Sequence, residues 1–129
     1  MHSIGTASKR SGVHIETIRY YEREGILPPA ERTASGRRVY DEDGIARLRF
    51  IRHCRELGFA IRDAQALLSL TAAPMPCAEA QLIAQRNLDT VRSKIAELSV
   101  MERELSALVD QCGTHDKHCA ILNDLFAED

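Results

Sequence analysis

From Cys77 to Cys112 the chain contains no proline and no glycine, and its apolar residues Ala84, Leu88, Val91, Ile95, Leu98, Met101, Leu105 and Leu108 recur in steps of three and four. That spacing predicts one long helix carrying a coiled-coil seam. At about 1.5 Å per residue, a helix filling most of these positions is about 50 Å long. The remaining sequence holds no second helix of matching length to cover the seam, so the pattern calls for a partner chain. Cys77 stands at the N-terminal edge of this segment, while Cys112 and Cys119 straddle a short loop just beyond its end. A single chain cannot close that ring of thiols. A second copy running antiparallel brings its own Cys77 beside Cys112 and Cys119, so the spacing proposes a homodimer with two soft-metal sites.

Composition narrows the setting. The N-terminal residues MHSIGTASKR hold no apolar run, and no segment approaches the roughly 20 apolar residues of a membrane span, so a cytoplasmic chain without membrane attachment is expected. In a reducing compartment four cysteines point to metal binding, redox sensing or burial rather than to disulfides. Cys54, inside a helical pattern, reads as a small core residue. Residues 1–70 carry 12 Lys plus Arg against 9 Asp plus Glu, whereas residues 71–129 carry 5 against 10. The basic excess therefore lies in the N-terminal part, in keeping with an anionic partner there, although a solvated mixed surface gives similar numbers.

Motifs carry that argument further. Ile4 to Arg10 is a short helical stretch stopped by Ser11-Gly12, and Ile15 to Glu24 is a second, ended by Gly25 and the Pro28-Pro29 pair. Two short helices around a glycine-containing turn outline a helix-turn-helix, whose second helix enters the DNA major groove. Arg32-Thr-Ala-Ser-Gly-Arg-Arg-Val-Tyr40 reads as two extended pieces around a Ser35-Gly36 turn. Directly after a helix-turn-helix, such an arginine-rich hairpin suits a wing along the phosphate backbone; alone it would read as a solvated hairpin.

Asp41 is the expected N-cap of a third helix with Ile45, Leu48, Ile51 and Leu57 on its apolar face, ended by Gly58. Arg52 and Arg55 share another face, either touching flanking phosphates or standing in solvent. A fourth helix is expected over about 61–70, burying Ala64, Leu67 and Leu68. Prolines 74 and 76 then break the chain. The organisation expected is residues 1–70 as a winged-helix DNA-binding domain with a two-helix connector, 71–76 as a hinge, 77–111 as the dimerisation helix, and 112–129 as a metal-binding loop with a short last helix. Enzyme activity is not expected, because no nucleophile–base pair, glycine-rich phosphate loop or His-Glu metal motif is present.

Ile4-Gly5, Thr17-Ile-Arg-Tyr-Tyr-Glu22, Gly25-Ile-Leu-Pro28, Arg32, Gly36-Arg-Arg-Val-Tyr40, Arg47-Leu48 and Phe50 to Phe59, followed by the long helix and the terminal cysteine loop, resemble the MerR family of bacterial transcriptional regulators. The resemblance implies a mainly α fold: a winged helix-turn-helix head, a long antiparallel coiled-coil dimerisation helix, and a metal loop capped by a short helix over Ala120 to Ala127. Carried over residue by residue, it makes Thr17, Arg19 and Tyr20 recognition-helix contacts, Arg32, Arg38 and Tyr40 wing contacts, and Arg52 and Arg55 flanking phosphate contacts on double-stranded promoter DNA. It also implies that a divalent soft metal, cadmium, lead, zinc or mercury, bound by Cys112, Cys119 and the partner's Cys77, distorts the promoter into a form that RNA polymerase uses.

The thiol at position 77 favours a divalent over a monovalent ion within that family. His115 and His118 are further candidate ligands, or solvent-facing loop residues. His14 departs from the small capping residue that the family often has before its recognition helix. Two other readings stay open: a thiol-based redox sensor, and a metal-independent regulator with a structural zinc site.

Overall fold

The structure, a computed structural model, describes residues 1–111 and 119–128. Cys112, His115 and His118 lie outside the described residues. A two-residue strand β1 (His2–Ser3) leads directly into α1 (Ile4–Ser11), where the Ser3 hydroxyl accepts a hydrogen bond from the Thr6 N–H at 3.2 Å. This cap satisfies one of the helix's open donors. Gly12 closes α1 at φ 78°, a left-handed conformation that a side chain disfavours. The turn to α2 (Ile15–Arg23) is pinned by serines: Ser8 Oγ donates to the Val13 carbonyl at 2.6 Å, and the fully buried Ser11 accepts from the Val13 N–H at 3.2 Å. His14 occupies the N-cap of α2 in extended conformation and makes no side-chain capping bond.

After α2, β2 (Glu31–Arg32) and β3 (Arg38–Tyr40) form the expected hairpin. Its tip is closed by Thr33 N–H to the Arg37 carbonyl at 2.8 Å, and Gly36 N–H to the Thr33 carbonyl at 2.9 Å. The sheet has a third member that the sequence reading lacks, because β1 pairs antiparallel with β3 on the side opposite β2, His2 facing Tyr40 and Ser3 facing Val39. The wing is thereby stitched to the start of α1.

Asp41 caps α3 (Glu42–Glu56) as expected, accepting from the Gly44 N–H at 2.7 Å. Helix α4 (Ile61–Leu70) starts without a side-chain cap at Ala60. Ala7, Ile18, Ile45, Leu48, Ile51 and Ala64 form the centre of the core, with Cys54 among the buried residues around it. Burial pushes the Cys54 thiol up, in keeping with a small apolar role.

The long helix α5 runs without interruption over Cys77–Gln111, 35 residues, and α6 spans Ala120–Phe126. Two compact units divide at an unexpected place: the first is Met1–Asn87 and the second Leu88–Asp129. The first unit reaches past residue 70 because Ile83 of α5 is buried in the head core and the Asn87 amide donates to the Leu57 carbonyl at 2.8 Å. In the second unit the seam residues Leu88, Ile95, Leu98, Met101 and Leu105 are 41% to 61% exposed. Among the described residues no helix is long and apolar enough to cross a membrane.

Candidate functional site

The recognition helix α2 buries Ile18 and Tyr21 against the core and leaves its other faces available. Thr17 and Arg19 are half-buried, and Tyr20 is exposed with its ring centroid 6.2 Å from that of Tyr21 and the Arg23 guanidinium 6.0 Å above it. Arg19 is held by Glu16 one turn earlier in an ion pair open to water. Such a surface pair contributes little and gives way readily to a better anion.

From the wing, Arg32 donates to the Gly36 carbonyl at 2.7 Å, which rigidifies the hairpin tip and holds the guanidinium at its base. Arg38 Nε donates to Glu22 Oε2 at 2.9 Å. Together Arg19, Arg32, Arg37 and Arg38, with Ser3 and Ile4 at the start of α1, line one groove of about 330 Å³. Three of the sequence-predicted residues, from α2, β2 and β3, thus line one basic surface. Arg37, for which the sequence suggested no contact, joins them. Four arginines lining one concavity suit an anion with several acceptor oxygens, such as a phosphate diester.

Three expected contacts stand differently. Tyr40 does not lie on the outer surface of the wing: it is 8% exposed, and its hydroxyl donates to Glu22 Oε1. Burial and the neighbouring carboxylate push its hydroxyl pKa up, so it stays protonated. Arg52 is half-buried, with Nε donating to the Ser11 carbonyl at 2.6 Å and one terminal nitrogen bonded to Glu56. It closes the C-terminal end of α1, whose last carbonyls need donors. A Cβ at Gly12 would sit 2.7 Å from this Nε, so the glycine also makes room for the guanidinium. Arg55 donates to the Phe59 carbonyl at 2.7 Å and caps the turn after α3, while its side chain stays at the surface. Sequence spacing along one helix could not show bonds that join Arg52 to a residue 41 positions away.

Of the thiols, Cys77 is exposed at the first position of α5, Cys119 is half-buried at the N-cap of α6, and Cys54 is buried. Among the described residues no three His, Cys, Asp or Glu side chains gather into a metal-holding cluster. Helix α5 ends at Gln111, the residue before Cys112, about 50 Å along its axis from Cys77.

Comparison with known proteins agrees with this architecture. The model of the MerR HTH family regulatory proteins matches residues 2–71, and that of the MerR DNA-binding region matches residues 45–108. The chain is 42% identical to the HTH-type transcriptional regulator ZntR of Escherichia coli (strain K12), over 97% of this chain and 92% of that protein. The transcription regulator PbrR691 from Ralstonia metallidurans CH34, solved in complex with lead(II), superposes with a TM-score of 0.79 at 36% identity, covering 97% of this chain and 99% of that one. MerR from Bacillus megaterium MB1, solved in complex with mercury(II), gives a TM-score of 0.71 at 30% identity over 94% and 95% of the two chains. A winged helix-turn-helix head, a single long helix and similarity along almost the whole chain lead to one conclusion: the protein belongs to the MerR family of helix-turn-helix transcriptional regulators.

Proposed function

We propose that this protein is a metal-responsive transcriptional regulator that binds promoter DNA as a homodimer and activates transcription when a divalent soft metal binds. The observation that carries the DNA reading is the groove that arginines of the recognition helix and of the wing line together. In this reading Thr17, Arg19 and Tyr20 face the major groove, and Arg32, Arg37 and Arg38 meet the phosphate backbone. Arg55 lies at the surface and retains donors for a flanking phosphate, whereas Arg52 and Tyr40 hold the head together.

The homodimer reading rests on α5. Its seam is exposed along the second unit, and its charges are unevenly placed. Arg86, Arg92 and Lys94 outweigh Glu79 and Asp89 in the first half, while Glu97, Glu102, Glu104 and Asp110 outweigh Arg103 in the second. An antiparallel pair sets each basic half against an acidic half, and a parallel pair sets like against like. Antiparallel pairing also carries the partner's Cys77 to the end of α5 where Cys112 and Cys119 follow.

The donor set fits a soft divalent ion. Cys77 is exposed, Cys119 is only half-buried, and buried Cys54 stays apart from the site. Cys112, Cys119 and the partner's Cys77 would hold the metal, with His115 or His118 as a further nitrogen ligand. When bound, a zinc, cadmium, lead or mercury ion supplies bonds between thiolates of two chains. The solved relatives with lead(II) and mercury(II) support this class of ion. The chain's own residues do the rest: the paired α5 helices set the spacing of two heads, and the heads grip DNA whose shape they alter, which changes its use by RNA polymerase. Metal drives that change only to the extent that it binds one dimer form better than the other.

Footprinting and transcription in vitro, with and without zinc, cadmium, lead or mercury, test the proposal. Promoter occupancy should persist in both states, while transcription and DNA distortion should rise with metal. Cys112→Ser should keep occupancy and lose the response. Loss of DNA binding in that variant would contradict the assignment.

A further inference from the structure

We infer that Glu22 is a positioning residue of the DNA interface, a carboxylate that locks the wing to the recognition helix and orients Arg38 toward the phosphate groove. The inference rests on the DNA-binding reading above. Glu22 lies in the last turn of α2, where a negative charge opposes the helix dipole and where the expected ligand is a polyanion. A carboxylate there needs a compensating arrangement, and the structure supplies one. Its side chain is only 9% exposed, and each oxygen accepts a bond from β3: Oε2 from Arg38 Nε at 2.9 Å, Oε1 from the Tyr40 hydroxyl.

Residues 38 and 40 are two apart on one strand and so project to the same face, which is why a single acid engages both. The acid is 16 residues from one partner and 18 from the other, so these bonds are a direct tie between helix and wing. Arg38 keeps donors beyond Nε, and its side chain lines the groove together with Arg19, Arg32 and Arg37. Glu22 therefore holds Arg38 at Nε, which leaves its terminal nitrogens as donors beside the groove that the residue lines. Without this anchor the arginine and the wing strand must be ordered when DNA binds, which weakens binding without removing any phosphate contact.

That distinction is measurable. The probe is a duplex selected by the wild-type protein from a random-sequence pool, and affinity is followed from low to moderate salt for dimers shown to be folded by circular dichroism. Glu22→Gln should weaken binding about tenfold, and Tyr40→Phe about threefold, with the slope of log affinity against log salt unchanged. The double variant should bind like Glu22→Gln alone, since both changes break one tie. Arg38→Ala, by contrast, should flatten the slope by about one per head.

Wild-type affinity in both Glu22→Gln and Tyr40→Phe would overturn the inference and leave the DNA reading intact. A flattened slope in Tyr40→Phe would also overturn it, by showing that the hydroxyl contacts phosphate directly. If Glu22→Gln does not fold, Tyr40→Phe, which removes one oxygen, carries the test by itself. A wild-type protein that selects no duplex would overturn the DNA reading and this inference with it.

Discussion

The head and the distal part of α5 treat similar apolar residues in opposite ways. Ile18, Ile45, Leu48 and Ile51 are fully buried within the first unit, whereas Leu88, Ile95, Leu98, Met101 and Leu105 of the second are at least 41% exposed. The head closes its own core with helices of which two are secured by side chains at both ends: α1 by Ser3 and Arg52, α3 by Asp41 and Arg55. Beyond Asn87, α5 has no such enclosure, and an isolated helix with one apolar stripe has little to stabilise it in water. One part of the molecule is therefore a finished fold, and the other leaves an apolar stripe uncovered, as half of the proposed interface would.

Substitutions that treat the two regions alike should separate them. Ile45→Ala, at a site with no exposure, should cost the head about 2 to 5 kcal/mol, read by denaturant unfolding at fixed dimer concentration. Leu98→Glu, in the exposed seam, should leave the head folded but raise the dimer dissociation constant by about 100-fold or more, read by sedimentation equilibrium. A dimer unaffected by Leu98→Glu would erase the contrast. Asn87→Ala removes the amide that bonds the Leu57 carbonyl at the boundary between units; a loss of about 1 kcal/mol is expected, with faster amide exchange in the first turns of α5.

The smallest effect concerns pH. Arg10 donates two bonds to Glu42, each at 2.6 Å, and His2 Nε2 lies 2.9 Å away, holding the Glu42 carboxyl at about 2 instead of 4.5. A depressed carboxyl contributes stability that is present above its unfolded value and is lost as pH falls through the folded one. The head should therefore lose stability as pH falls from about 4.5 to about 2, and Glu42→Gln should flatten that part of the profile. Because Glu42 is solvent-exposed, the change should be slight.

Much of this was legible in the sequence where signals are local. The glycine after α1, the Asp41 cap, the hairpin tip at Ser35-Gly36 and the three-four spacing of α5 each depend on a few neighbouring residues, and each predicted its element. Long-range ties were not legible. Strand β1 is two polar residues without alternation, defined only by its pairing to β3, so it left no pattern to read. Arg52 looked like a surface arginine because its partner, the Ser11 carbonyl, belongs to a helix distant in sequence. The resemblance puts Tyr40 among the wing contacts, whereas in the structure its hydroxyl donates to Glu22, an acid 18 residues away whose role no local pattern marks. The boundary at Asn87 was hidden for a related reason, since Ile83 continues the helical pattern while packing on the head.

The central claim is that each metal site takes thiols from two chains, and mixed dimers test it most directly. Cys77→Ser and Cys112→Ser chains are each expected to form dimers with both sites broken. Unfolded together and refolded as heterodimers, they should regain one intact site, built from Cys77 of one chain and Cys112 and Cys119 of the other, so titration of the reduced mixture with cadmium should show one tight metal per heterodimer. No tight metal in the heterodimer would place Cys77 in its own chain's site, and tight metal in the Cys77→Ser homodimer would place it outside any site; either result would contradict the account.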